Sequence, residues 1–201
     1  MENQELAEQI RHVKRSLRGR MNGPVSASMR EKGLTYKVNF GVELPRLQQM
    51  AQNFEHSYEL AAALWKEDIR ECRLLAGMLM PVERFDAELA EVWVSQMRFV
   101  EEAECTVMHL FSRAPWASGK AFEWIAAADS MHQLCGYLLM ARLFMQGAVP
   151  SERDAHEYLD QTMAAMKGTD MAVARAAQKS LLKFMDLGSE QEQAAEALLQ
   201  A

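Results

Sequence analysis

Pro45, Pro81, Pro115 and Pro150 fall 36, 34 and 35 residues apart. A proline cannot continue a helix beyond its first turn, so each marks a boundary between helical stretches. Every interval has room for two helices and a turn, and a repeat of about that length is how stacked helical hairpins show in a sequence. Composition points the same way. Ala (29), Leu (22) and Met (15) make up a third of the 201 residues, while Val, Ile and Thr together number 18. Good helix formers outweigh β-branched residues. The expectation is an all-α chain, an α-solenoid or α-α superhelix of helical hairpins. It would form a single helical-repeat domain over residues 1–201 with a period near 35.

Hydrophobic spacing fills in the elements. Leu6, Ile10, Val13 and Leu17 put an apolar stripe on one face of a first helix. Met21-Asn22-Gly23-Pro24 breaks it, and a short helix follows over 25–32, stopped by Gly33. Residues 34–44 lack helical periodicity, and Pro45 opens a helix to about Phe54. Pairs then follow: 57–66 with 69–80, 85–95 with 99–112, 119–128 with 130–146, and 151–167 with 170–187. A tail or capping helix closes the chain over 188–201. Asp68, Asp129 and Asp170 are the expected N-caps.

The net charge is −6, from 22 Lys+Arg against 28 Asp+Glu. It is unevenly spread. Residues 1–50 carry nine basic and five acidic side chains, a net of +4, which leaves thirteen and twenty-three, a net of −10, for residues 51–201. Phosphate contacts must therefore be local. No apolar run approaches the ~20 residues needed to cross a bilayer, and the polar start Met1-Glu2-Asn3-Gln4-Glu5 does not read as a secretory signal. Cys72, Cys105 and Cys135 are odd in number and lack a CxxC, so they read as buried thiols of a cytoplasmic protein. Neither a glycine-rich phosphate loop nor a serine-nucleophile elbow is present, so nucleotide binding has no support.

Several blocks carry a family resemblance. Residues Tyr36-Lys37-Val38-Asn39-Phe40-Gly41-Val42-Glu43-Leu44-Pro45-Arg46-Leu47, Glu59–Lys66, Arg70–Ala76, Trp93-Val94, Met108-His109-Leu110-Phe111, Lys120–Trp124 and Gly136–Ala141 resemble the AlkD-like DNA alkylation-repair proteins. These are HEAT-like repeat DNA glycosylases, and the likeness spans roughly residues 1–187. It implies a concave surface that holds damaged duplex DNA, and hydrolysis of the N-glycosidic bond of cationic alkylpurines. No cofactor is implied. Such an enzyme needs a carboxylate for the developing oxocarbenium ion or its attacking water, an aromatic face, and basic groups for the backbone.

The family's site residues carry over in part. Its tryptophan position falls at Val100, its catalytic aspartate at Glu104, and an arginine at Leu134. On the last helix an aromatic falls near Lys179 and an arginine near Leu182. The carboxylate alone survives, one methylene longer. The resemblance therefore implies a divergent member with weak or altered base excision centred on Glu104. The alternative is a non-catalytic helical-repeat adaptor for DNA structures or for a protein partner on the concave face.

Arg15, Arg18, Arg20, Lys37, Arg113 and Arg142 are the candidate nucleic-acid contacts, since Lys and Arg supply phosphate binding. The first three also suit the solvated face of an amphipathic helix. Glu104 with Glu101 and Glu102 can equally be an acidic first turn that favours the helix dipole. Cys105 and His109 at i,i+4, with His132 and Cys135 at i,i+3, have the ligand types of a zinc site, although small core residues explain the cysteines; no metal is assigned. Trp65, Trp93 and Trp124 read as core pillars, and Trp116, in a loop after Pro115, as the exposed aromatic.

Overall fold

The computed structural model describes residues 2–199. Met1, Gln200 and Ala201 lie outside the described residues, and with them the first residue of the polar start and the end of the closing helix. The described residues form twelve α-helices and two short 3-10 helices. A single parallel bridge, Val38 to Ile69, is the one β-type pairing among them. The chain divides into two compact units, Met1–Phe85 and Asp86–Ala201.

The N-terminal unit contains α1 (Glu2–Arg18), α2 (Gly23–Glu31), α3 (Leu44–Ala51), α4 (Tyr58–Trp65) and α5 (Arg70–Leu79). Val13 and Leu17 of α1 are fully buried, as the apolar stripe requires. Asn22 caps α2, its side chain accepting from the Val25 amide. Gly33 ends α2 at φ +93°, a left-handed conformation that glycine adopts without strain. Pro45 lies in the first turn of α3. The expected cap at Asp68 is corrected: Ile69 holds the N-cap position of α5. The Asp68 carbonyl instead accepts from the Val38 amide at 3.1 Å, and Arg70 N donates back to the Val38 carbonyl at 3.0 Å.

That pairing places the non-helical segment 34–43 against the start of α5, where two charges are buried. Glu71 has no exposed surface and Arg70 has 3%. The Glu71 carboxylate accepts from the amides of Phe40 and Val42, each at 3.1 Å. Arg70 Nη1 donates to the Val42 carbonyl at 2.8 Å and to Glu71 Oε1 at 3.3 Å. An extended segment has no neighbouring strand to satisfy its backbone, so a buried side-chain ion pair does it instead.

The C-terminal unit contains α6 (Ala87–Gln96), α7 (Val100–His109), α8 (Ala117–Ile125), α9 (Ser130–Met145), α10 (Glu152–Met166), α11 (Met171–Met185) and α12 (Ser189–Leu199). The paired elements lie where the sequence puts them, within a few residues. The pair member expected over 99–112 stops at His109, and residues Phe111–Arg113 tighten into a 3-10 helix. Asp129 and Asp170 are N-caps as expected, each accepting from two backbone amides. Helix α9 is central and packs against α7, α8 and α11. Phe144, Tyr158 and Phe184 from α9, α10 and α11 form an aromatic triad with centroids 5.1–5.5 Å apart. Trp65, Trp93 and Trp124 are core residues. Trp116 is corrected from an exposed aromatic. It is half-buried, with its ring 5.5 Å from Phe111 and 6.0 Å from Trp124. An aromatic following a proline docks onto its neighbours here because the tight turn carries it back over α8.

Helices α8 and α9 approach closely at Gly136. A Cβ there would lie 2.7 Å from the Ile125 nitrogen and 3.0 Å from the Trp124 carbonyl carbon. Gly136→Ala is expected to destabilise by about 1–3 kcal/mol, because backbone cannot yield as a flexible side chain does. Urea unfolding checks this; an unchanged midpoint would mean that the helices separate without cost.

Candidate nucleic-acid interface

Helix α1 presents Arg11, Arg15 and Arg18 at spacings of four and three, on the face opposite Val13 and Leu17, and all three are exposed. Arg11 reaches Glu8 at 3.9 Å, and Arg20 donates to the Ser16 carbonyl at 3.2 Å. Lys14 is not part of this face. It is half-buried and pairs with Glu67 at 2.6 Å. Lys37 is exposed on the segment that Glu71 holds.

In the C-terminal unit the candidates separate into two places. Glu104 is exposed near the start of α7. Glu102, two residues earlier, is fully buried and accepts from the Arg98 amide at 2.8 Å, which secures the entry to the helix. Val100 is exposed and Leu134 is buried, so neither brings an aromatic face nor a cation to Glu104. A cavity of about 240 Å³ lies between the start of α9 and the turn joining α10 to α11, lined by Ser130, Gln133, Gln161 and Asp170 among others. Glu104 is not among its lining residues. A carboxylate in open solvent lacks the dry, preorganised surroundings that make electrostatic stabilisation strong.

The positive charges of Arg113 and Arg142 both bear on His109 at the other end of α7. Arg113, exposed on the 3-10 helix, donates from Nη1 to the His109 carbonyl at 3.3 Å. Gln146, one turn beyond Arg142 on the end of α9, donates from Nε2 to the Ser112 carbonyl at 3.4 Å and joins α9 to the 3-10 helix. Burial holds the half-buried His109 imidazole below its ordinary pKa, and the positive charges of Arg142 and Arg113 add to that effect. Helix α11 exposes Arg175 and Lys179 beside Met171 and Leu182.

The zinc reading does not survive the side-chain placement. His132 sits between carboxylates, its Nδ1 2.7 Å from Asp129 Oδ2 and its Nε2 3.1 Å from Glu91 Oε2. Cys135 is buried with its thiol 3.8 Å from the Met97 sulfur. No group of three or more ligand-type residues is gathered for a metal among the described residues. Burial raises the thiol pKa of Cys135, and pushes that of Cys72 up to about 12, so both are inert thiols. Cys105 is likewise buried and forms no disulfide.

Glu91 anchors a polar cluster that spacing alone did not reveal, because its members come from three helices. Its carboxylate accepts from Lys120 Nζ at 2.8 Å and Trp124 Nε1 at 2.7 Å. Partial burial would raise its pKa, but the bonds from Lys120 and Trp124 and the charges of Lys120 and His132 outweigh that and hold it low. The cluster ties α6 to α8 and α9. It is structural, since every member is engaged with another.

The sequence profile of the family described as DNA alkylation repair enzyme matches residues 13–163. The chain belongs to that family. The match covers the paired helices from the end of α1 into α10. No curated protein matches the sequence. A solved structure superposes on 95% of this chain and 82% of its own with a TM-score of 0.83, at 15% identity. It represents "a new family of proteins related to the HEAT-like repeat DNA glycosylases with affinity for branched DNA structures". The fold is therefore the all-α, HEAT-like repeat architecture of the DNA alkylation repair family, as the proline period and the resemblance lead one to expect. No described helix is long and apolar enough to cross a membrane.

Proposed function

We propose that this protein binds DNA through its phosphate backbone, with branched structures as its preferred target, and that base excision is not its activity. The observation that carries the reading is the local basic charge of an acidic chain: the exposed Arg113 of the 3-10 helix and Arg142 of α9 both bear on His109 at the end of α7. The Arg11–Arg15–Arg18 face of α1 supplies a second basic surface in the N-terminal unit. Affinity for branched DNA, stated for the solved relative, supports the choice of target. The exposed Glu104, with Val100 and Leu134 at the family's aromatic and arginine positions, supports the absence of excision. A cytoplasmic location belongs with this reading.

Fluorescence anisotropy with a synthetic four-way junction and a duplex of equal length tests it. Binding is expected to weaken with salt, and Arg113→Ala/Arg142→Ala should flatten the slope of log K against log salt by about 1–2, at ~0.9 per phosphate contact. Release of 7-methylguanine from alkylated duplex is expected to match the background without protein. Absence of DNA binding at low ionic strength would favour the protein-adaptor reading, and release above background abolished by Glu104→Gln would restore the excision reading.

A further inference from the structure

Resting on the DNA-binding reading, we propose that the turn joining α1 to α2 recognises the branch point itself. Met21 packs on a base face left uncovered there, while Arg15 and Arg18 hold phosphates of the adjoining arm. Between Glu8 and Glu31 the sequence has no acid and six basic residues, Arg11, Lys14, Arg15, Arg18, Arg20 and Arg30. Met21 stands within that run. It is 62% exposed, and among the described residues it is the one exposed large hydrophobic side chain of the N-terminal unit. The acids that reach α1 from elsewhere in the unit, Glu55 and Glu67, are engaged by Gln9 and Lys14. Arg15 and Arg18 are exposed and in no ion pair among the described residues. Backbone bonds hold the turn on both sides. Met21 N donates to the Arg18 carbonyl at 3.3 Å, and Asn22 N to the Phe40 carbonyl at 2.8 Å. Arg20 Nη1, bonded to the Ser16 carbonyl, keeps a third guanidinium at the end of α1. A Cβ on Gly23 would meet nothing within 4 Å, so the approach to the start of α2 is open.

In continuous duplex each base face is covered by its neighbour, and a side chain enters only by unstacking a step. At a branch point the stack is interrupted. The last pair of an arm then offers its face with no step to open, and an apolar side chain gains contact there that duplex denies it. Methionine suits such a face, because its thioether is polarisable and makes favourable contacts with flat rings. Every base has a π face, so the contact selects shape rather than sequence. Arginines on phosphate carry no such information and serve any arm, branched or not. The two parts of the surface thus divide the work. Arg15 and Arg18 raise affinity for all DNA, and Met21 supplies the preference for branches.

Anisotropy with the four-way junction and the duplex of equal length separates these roles, in buffer without divalent ions so that the junction arms stay unstacked. Met21→Ala is expected to lose about three- to tenfold in junction affinity, for part of a methionine's burial, and to leave duplex affinity unchanged. Met21→Leu should restore most of the preference. Arg15→Ala/Arg18→Ala should weaken both complexes and flatten each slope of log K against log salt by about 1–2. A 2-aminopurine placed at the branch point should change its emission when wild type binds and not when Met21→Ala binds at saturation. Urea unfolding of Met21→Ala should match wild type, since the side chain is exposed. Junction binding by Met21→Ala equal to wild type, or an equal loss on junction and duplex, would overturn the branch-point role while DNA binding stands. Failure of the wild type to bind either DNA at low ionic strength would instead sink the DNA-binding reading, and this surface with it.

Discussion

Glu71→Ala is expected to lower stability by about 3–5 kcal/mol, a large part of the roughly 5–15 kcal/mol that holds a typical domain folded. The carboxylate has two jobs. It neutralises Arg70, which is 3% exposed, and it accepts from the amides of Phe40 and Val42. Removing it takes the carboxylate at 3.3 Å away from a buried guanidinium that keeps its 2.8 Å bond to the Val42 carbonyl. It also leaves two buried amides to pair elsewhere, at a cost of ~1–3 kcal/mol each where they fail. Glu71→Gln keeps an acceptor oxygen and loses the charge, so its loss should be smaller. Urea unfolding gives the overall change, and hydrogen exchange at Phe40 and Val42 locates it. A loss below about 0.5 kcal/mol would show that water replaces the carboxylate.

The helical frame was legible because its signals are local. Pro45, Asp129 and Asp170 act within one turn of where they stand, so spacing and capping chemistry place α3, α9 and α11 without tertiary knowledge. Asp68 misled for the same reason. It has the side chain of a cap, but the bridge between Val38 and Ile69 takes its backbone first. The absence of periodicity over 34–44 marked a segment that was not helical, yet nothing local names its partner. That partner is a buried Arg-Glu pair on a helix 28–31 residues away, in a block that reads as an ordinary amphipathic stretch. The candidate interface divides in the same way. Charge counting found Arg113 and Arg142 one at a time, and the packing of α7 against α9 brought them to one histidine. His109 drew attention as a zinc ligand type instead, because sequence separation cannot say that its charged neighbours are cations.

Gly41→Ala should destabilise by a similar amount, about 3–5 kcal/mol, for a reason that belongs to the backbone. Gly41 has φ +71°, where a side chain costs ~1–2 kcal/mol in an L-residue. Its Cβ would also lie 2.2 Å from the Asn22 carbonyl oxygen and 2.7 Å from the Ser26 amide nitrogen. Those atoms cannot step aside cheaply. Ser26 N donates to that same Asn22 oxygen at 2.9 Å, and Asn22 N donates to the Phe40 carbonyl at 2.8 Å, so displacement opens the start of α2 and frees the neighbouring segment together. Gly41 and Glu71 thus restrain opposite sides of one piece of chain: α2 closes on it at Gly41, and α5 holds its amides through Glu71. The double variant should therefore lose less than the sum of the two single losses, since a segment released by one substitution has little left to lose to the other. Hydrogen exchange at the Phe40 amide is the sharper readout, because it should reach nearly the same rate in either single variant and in the double. Full additivity, with Phe40 protected in Gly41→Ala, would mean that the glycine shapes only the turn and that α5 holds the segment unaided.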